Sequence, residues 1–390
     1  MKEIYFDNAA TTKVCRQSCD VMVQMMSEDY GNPSSLHMKG ITAENYIKEA
    51  REIFANLLKI NEKEMIFTSG GTESNNMALI GGAMANCRRG RHIITTSIEH
   101  PSVSSPLAVL EERGFKITRL PVDEKGVVSL EALERAMSED TIIVSTIYVN
   151  NEIGTIQPVQ QISRIIKRMN SETLFHVDAI QAFGKLQIYP GRQGIDLLTV
   201  SSHKFHGPKG VGLLYIRNGA KVKPIILGGG QQKDMRSGTE NVPGVTGMAY
   251  AAKTVYDGLS EKAEKLYDLR DYFIRQLNVF EDVVINGNDR EGAAPHIVSA
   301  SFGDIRAEVL LHALEERGIY ISSGSACSSN HPSQSATLKA IGVNPKYLDA
   351  TVRFSFSFET SKEEMDDCLA VLAEIVPMLR RYTPGGNKRV

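Results

Sequence analysis

The sequence predicts an α/β protein built on a mostly parallel sheet, followed by a smaller α+β unit. Three observations carry that prediction. Short apolar, β-branched runs alternate with helical stretches through the first two-thirds of the chain. The length of 390 residues exceeds one small domain and suits a large and a small one. Hydrophobic residues make up 42% and charged residues 23%, the balance of a globular chain that buries its core without disulfide staples.

In chain order, residues 41–58 read as an amphipathic helix with Ile47, Ala50, Phe54, Leu57 and Leu58 on one face. Strand patterns follow at 64–68, 92–96, 116–120 and 142–149, with helical patterns at 73–86, 101–113 and 129–138 between them. A helix near 158–169 precedes strands near 173–177, 195–200 and 211–216. One long helical pattern begins after Pro243-Gly244 and runs to about 275. Strands near 296–302 and 351–358 and helices near 305–317 and 361–382 complete the chain. The expected division is a large unit at 13–257 and a small unit made of 1–12 and 258–390. The segment 322–335 is rich in Ser and Gly.

The net charge is −2 and no basic run clusters, which argues against a nucleic-acid binder. Five cysteines, an odd number without metal-site spacing, predict reduced thiols in a cytoplasmic protein and no metal centre. No signal peptide, Arg-rich transit segment or membrane-length apolar stretch is visible. Small molecules and other proteins are the expected partners.

Candidate chemistry gathers just past the strand patterns. Lys204 follows an apolar strand and the small residues Ser201 and Ser202; a desolvated amine there can form a Schiff base. A surface loop lysine is the commoner meaning of such a residue. Asp178, in Phe175-His176-Val177-Asp178, ends another buried strand, where a carboxylate can keep a pyridine nitrogen protonated or simply cap a helix. Gln181, three residues on, is placed to reach a phenolic oxygen. Ser69-Gly70-Gly71-Thr72-Glu73-Ser74 is a glycine turn into a helix, a phosphate cradle or an ordinary capped start. His100 precedes Pro101 as stacking imidazole or helix cap, and Asn151 follows a further strand end. Each is weak alone. Together they sit after five strand ends of one α/β pattern, and ligands in open α/β sheets bind at those ends.

Several further motifs carry a family resemblance. Ser201-Ser202-His203-Lys204 with trailing glycines resembles the class V aminotransferase pattern around the cofactor lysine. Asp7-Asn8-Ala9-Ala10-Thr11-Thr12, Gly31-Asn32-Pro33-Ser34-Ser35-Leu36-His37, Asn150-Asn151-Glu152-Ile153-Gly154, Arg236-Ser237-Gly238-Thr239 and Ser323-Gly324-Ser325-Ala326-Cys327 resemble the group I cysteine desulfurases. The similarity runs from residue 5 to about 358. It implies the fold type I architecture, pyridoxal 5′-phosphate as cofactor, and a homodimer. It makes Lys204 the Schiff-base lysine, Asp178 the partner of the ring nitrogen, Gln181 that of the phenolic oxygen, and His100 the residue stacked on the ring. Phosphate contacts are implied from Gly71, Thr72, Ser201 and His203, with Thr239 reaching the neighbouring subunit's phosphate. Asn151 and Arg353 would hold the carboxylate of L-cysteine. Cys327 would take its sulfur as a persulfide for an acceptor protein, either an iron–sulfur scaffold or a thiolation enzyme. Where the family usually reads Phe-Ser-Leu-Gly after the arginine, this chain reads Phe354-Ser355-Phe356-Ser357.

Two details support the resemblance from the residues themselves. In Thr351-Val352-Arg353-Phe354-Ser355-Phe356-Ser357-Phe358 the apolar residues share one strand face, and Arg353 shares the other with two serines, leaving room for a carboxylate. Cys327 lies in a polar, glycine-containing segment, where burial is not expected. Cys87 and Cys368 fall in helical patterns and read as structural, and Cys15 and Cys19 as one helix face. The competing readings are another class V enzyme, an aminotransferase or a selenocysteine lyase, and a non-catalytic scaffold on the same fold.

Overall fold

The computed structural model describes residues 3–323 and 334–382. Strand β1 (Ile4–Tyr5) opens the chain, followed by β2 (Met65–Thr68), β3 (His92–Thr96), β4 (Lys116–Leu120), β5 (Thr141–Ile147), β6 (Leu174–Asp178), β7 (Leu197–Ser201) and β8 (Gly212–Ile216). Strands β2 to β8 form one seven-stranded sheet in the order β2-β8-β7-β6-β5-β3-β4. Only β8 runs against its neighbours, antiparallel to both β2 and β7. The other six therefore point the same way and end at one edge. β5, β6 and β7 are buried along their whole length, as strands covered on both faces must be. The pleat explains the two apolar layers: Leu198 joins Phe54, Phe175 and Met248 on one face, and Leu197 joins Leu107, Ile143 and Leu214 on the other.

The C-terminal third adds β9 (Val283–Asn286), β10 (Ile297–Phe302), β11 (Ile319–Tyr320), β12 (Ser322–Ser323) and β13 (Thr351–Ser355). Four of them make an antiparallel sheet, β12-β13-β10-β9, while β1 pairs with β11. Helices Leu259–Leu277, Ala307–Glu315 and Lys362–Tyr382 supply the rest of a separate apolar cluster. Phe6, Phe273, Phe354 and Phe356 meet there edge to face, with ring centroids 5.1–6.2 Å apart. The chain's first strand is thus held by its last third. Among the described residues no helix is long and apolar enough to cross a membrane.

Most sequence-derived elements appear within a few residues of their expected places. The single long helix expected over about 243–275 is two helices, Val242–Tyr256 and Leu259–Leu277. The break falls at Asp257-Gly258, where Gly258 takes φ +62°, a conformation glycine adopts at little cost. The strand expected at 351–358 stops at Ser355. Val352, Phe354 and Phe356 face the core as the alternation predicted, but Phe358 is only half-buried, packed against the edges of both clusters. Cys368 is fully buried, as expected of a packed position, whereas Cys87 ends its helix half-buried. Cys15 caps helix Arg16–Ser27 rather than lying within it, and Cys19 is exposed on that helix.

Candidate active site

At the edge where the parallel strands end lies a cavity of about 710 Å³. Its lining includes Gly71 and Thr72 after β2, His100 after β3, Asn151 after β5, Asp178 and Gln181 at the end of β6, and Ser201, His203 and Lys204 at the end of β7. Arg353, from β13 of the smaller sheet, closes the far side. Every described site residue anticipated from the sequence is therefore brought to this one cavity except Thr239. Thr239 is exposed and does not line it. Cys327 lies outside the described residues. Its described flanks do reach the site: Ser322 and Ser323 line the cavity, and Ser322 pairs across from Arg353. Beyond the gap, Ser335 and Thr337 donate to the Glu152 carboxylate at 2.5 and 2.9 Å, one residue from Asn151.

One end of the cavity is built for an anion. Gly70 at φ +152° turns β2 into a continuous helical run, Gly71–Asn76, Met77–Gly81 and Gly82–Asn86, whose first N–H groups face no preceding carbonyl. A Cβ on Gly71 would sit 2.2 Å from Ile180 Cδ1 and 3.3 Å from Ser201 Cβ, so a larger residue would have to push the Ile180 side chain aside. The Thr72 and Ser201 hydroxyls and the His203 ring add donors. Burial, with Lys204 and Lys209 nearby, pushes His203 down to about 4, so it serves as a neutral ring there. Glu73 braces this corner. Its Oε2 accepts from Ser69 N at 2.8 Å, and its Oε1 pairs with Arg236 at 2.9 Å. Burial works against the Glu73 charge, but the hydrogen bonds from Arg236 and Ser69 prevail and hold its carboxyl below the usual range.

In the middle lies a buried polar chain. Asp178 Oδ1 accepts from Ile180 N at 3.0 Å, and Oδ2 accepts from Asn75 Nδ2 at 2.8 Å. The same Asn75 amide meets Ser102 Oγ at 2.9 Å, and Ser102 Oγ meets His100 Nδ1 at 2.8 Å. Burial raises the Asp178 carboxyl despite those hydrogen bonds. Burial likewise lowers His100 although Asp178 pulls the other way. A cationic ring nitrogen beside Asp178 would restore its charge in a site that otherwise penalises it. His100 is the N-cap of helix Pro101–Glu112, one of the readings the sequence allowed, and it also lines the cavity. Asn75 and Ser102 were given no role from the sequence; polar residues inside helical patterns read as surface until the fold buries them.

Opposite, Lys204 Nζ donates to the carbonyls of Ala9 and Ala10 at 2.8 and 2.7 Å. Gln181 Nε2 donates to the same Ala9 oxygen at 2.9 Å. The Asp7–Thr12 turn thus holds two site residues, a part its motif did not announce. Arg353 is 5% exposed, not the solvated arginine that strands commonly carry. Its Nη1 donates to Asn151 O at 2.8 Å and its Nη2 to Asp7 Oδ1 at 2.9 Å. The unusual Phe356 and Ser357 stay out of the cavity: Phe356 fills the aromatic cluster, and Ser357 Oγ accepts from Glu359 N. An anion cradle, a carboxylate, a neutral imidazole, an amide and an amine around one volume suit a phosphorylated pyridine aldehyde, and the buried guanidinium beside them suits an amino-acid carboxylate.

The family model described as aminotransferase class-V matches residues 4–368. Cysteine desulfurase IscS of Dictyoglomus turgidum is 43% identical over 384 residues, covering 98% of this chain and 97% of that protein. Cysteine desulfurase IscS of Methanosarcina thermophila is also 43% identical, over 98% of this chain and 94% of the other. Among solved structures, a NifS-like protein superposes with a TM-score of 0.92 at 40% identity, over 97% of this chain and all of that one.

Proposed function

The chain belongs to the class-V aminotransferase family and is a cysteine desulfurase, and from that premise we propose how its residues divide the work. The observation that carries the reading is the convergence of Lys204, Asp178, His100 and Arg353 on one cavity from four separate strands. Pyridoxal 5′-phosphate, when bound, supplies an electrophilic carbon for the substrate amine and an electron sink for its α-carbon. Gly71, Thr72, Ser201 and His203 hold its phosphate, with Thr239 of a second subunit completing that site in a homodimer. Asp178 keeps a proton on the ring nitrogen, Gln181 meets the phenolic oxygen and His100 stacks on the ring. Residues 13–257 form the unit that carries these groups. Residues 1–12 with 258–390 form the unit that brings Arg353 and Cys327, a division supported by the separate apolar clusters.

Arg353 and Asn151 fix the carboxylate of L-cysteine. Lys204 would anchor the cofactor through its amine, and the same Nζ, when free, takes the α-proton. The Cys327 thiolate then attacks the substrate sulfur. A sulfur–sulfur bond forms as the substrate's carbon–sulfur bond breaks, and the carbon fragment, after taking up protons, leaves as alanine. The persulfide is passed to an acceptor protein of iron–sulfur assembly or thiolation, in the cytoplasm.

The test is incubation with cysteine followed by mass spectrometry of the Cys327 peptide. Persulfide is expected there in the parent protein. Cys327→Ser should still bind cysteine yet release alanine at least about a hundredfold more slowly, a weak nucleophile having replaced a strong one. Cys87→Ser and Cys368→Ser should turn over normally. Alanine and sulfide at the parent rate from Cys327→Ser would sink the assignment.

A further inference from the structure

Asp7 lines the substrate side of the cavity and has been assigned no role above. Its position is fixed by backbone. Residue 7 bridges to Ser355, Phe6 N donates to Tyr320 O, and Asn8 N donates to Ser355 O. From there its carboxylate pairs with Arg353 Nη2 at 2.9 Å, while the Asn151 carbonyl takes Nη1. Arg353 is 5% exposed, its Nε is buried without a partner among the described residues, and each of its two Nη groups already has one, Asp7 holding Nη2. One guanidinium therefore serves an internal carboxylate and, when cysteine enters, a second one.

Resting on the reading of Arg353 as the carboxylate anchor, we propose that Asp7 is the internal competitor of the substrate carboxylate: it balances the Arg353 charge in the empty site and yields that charge when an amino acid binds. Two carboxylates on one cation cannot both keep full charge at low cost, so binding draws a proton onto Asp7. The charged groups around Asp7 are Arg353 on β13, Lys204 after β7 and the Tyr5 phenol on β1, with Glu152 acting through Arg353. Burial already raises the Asp7 carboxyl, against the pull of Arg353 and Lys204, which eases that protonation. The consequence is selectivity. A ligand with a carboxylate displaces Asp7 from Arg353; an amine without one leaves the internal pair closed and gains nothing from the arginine.

L-Alanine and ethylamine differ only by the carboxylate and isolate this effect. Their dissociation constants for the cofactor-loaded protein are read from the cofactor's visible absorbance, over the pH range in which both amines stay protonated. In the parent, the preference for alanine should fall as pH rises through the Asp7 range, because binding takes up a proton. In Asp7→Asn and Asp7→Ser, alanine should bind about tenfold tighter with a pH-independent preference, and ethylamine should bind as before, since the charge-assisted competitor is gone. Bound-cofactor absorbance and a parent-like circular dichroism spectrum establish that these variants are folded. If Arg353→Lys keeps the parent's preference for alanine, the carboxylate-anchor reading itself falls. If Arg353→Lys abolishes the preference but both Asp7 variants bind alanine no tighter than the parent, or keep its pH slope, the competitor role of Asp7 is overturned and the anchor survives.

Discussion

Asp178 shows how much a single side chain is asked to do. Its two oxygens are committed to Ile180 N and Asn75, and burial disfavours its charge. A cofactor ring nitrogen beside it would have to exist as a cation to be stabilised. Asp178→Asn keeps the shape and removes that stabilisation. With saturating cofactor, turnover should fall about a hundredfold or more, the scale on which one preorganised electrostatic partner acts. The phosphate cradle should still retain the cofactor, seen as visible absorbance. Near-parent turnover would remove Asp178 from the proposed role. The identity of this aspartate was legible because it ends an apolar strand pattern. Its network was not: Asn75 and Ser102 are distant in sequence and join it only once β2, β3 and β6 are assembled into one sheet with their ends at the same edge. Asp7 was legible as part of a motif, but its charge partner is 346 residues away.

At the scale of elements, His176 crosses the middle of the large sheet. It sits on β6 with Nδ1 at 2.8 Å from Ser145 on β5 and Nε2 at 3.1 Å from Thr199 on β7. Full burial pushes it down to about 3 from an ordinary 6.5. Below the ordinary value the unfolded chain takes a proton that the folded sheet refuses, so stability is lost as pH falls. Between pH 7 and 5 this one residue should cost about 2 kcal/mol. Buried Glu99, raised to about 8, works oppositely, losing stability as pH rises from its ordinary value through 8. The difference between parent and His176→Gln is therefore the quantity to follow. Urea unfolding at the two pH values should show the variant's relative stability improving by about 2 kcal/mol at pH 5; an unchanged difference would contradict the buried, neutral histidine. Elements with a strong period, such as β3 and β4, were legible almost to the residue. The break at Gly258 was not, since apolar spacing continues across it and only the backbone conformation reveals the turn. The early stop of β13 had the same cause: the alternation runs on through Phe358 after the pairing has ended.

For the whole molecule, assembly is the open quantity. Tyr30, Leu36, Met38 and Leu227 are 69–98% exposed, large apolar side chains that a second copy would cover. Tyr30 and Met38 flank the motif at 31–37, Leu36 lies within it, and Leu227 lies on the stretch leading to Thr239. Sedimentation should give twice the chain mass. Leu227→Glu should weaken the dimer about tenfold or more and lose cofactor along with it, if Thr239 completes the neighbour's phosphate site. A fully active monomer would end that reading. One feature of the fold also sets a schedule for making the protein. Strand β1 has its partner at Ile319 and Tyr320, and the Asp7–Thr12 turn that cradles Lys204 is pinned by Ser355. A ribosome adding about 5–20 residues per second needs roughly 18–70 s after the first strand emerges to deliver the last of those partners. Through that interval the seven-stranded sheet can form, and residues 9–12 can meet Gln181, His203 and Lys204, but strand β1 waits without its partner strand. The turn beside Lys204 gains its pin at Ser355, and the cavity gains Arg353, only when the chain is almost finished, so a polypeptide truncated before β13 lacks one whole side of the cavity.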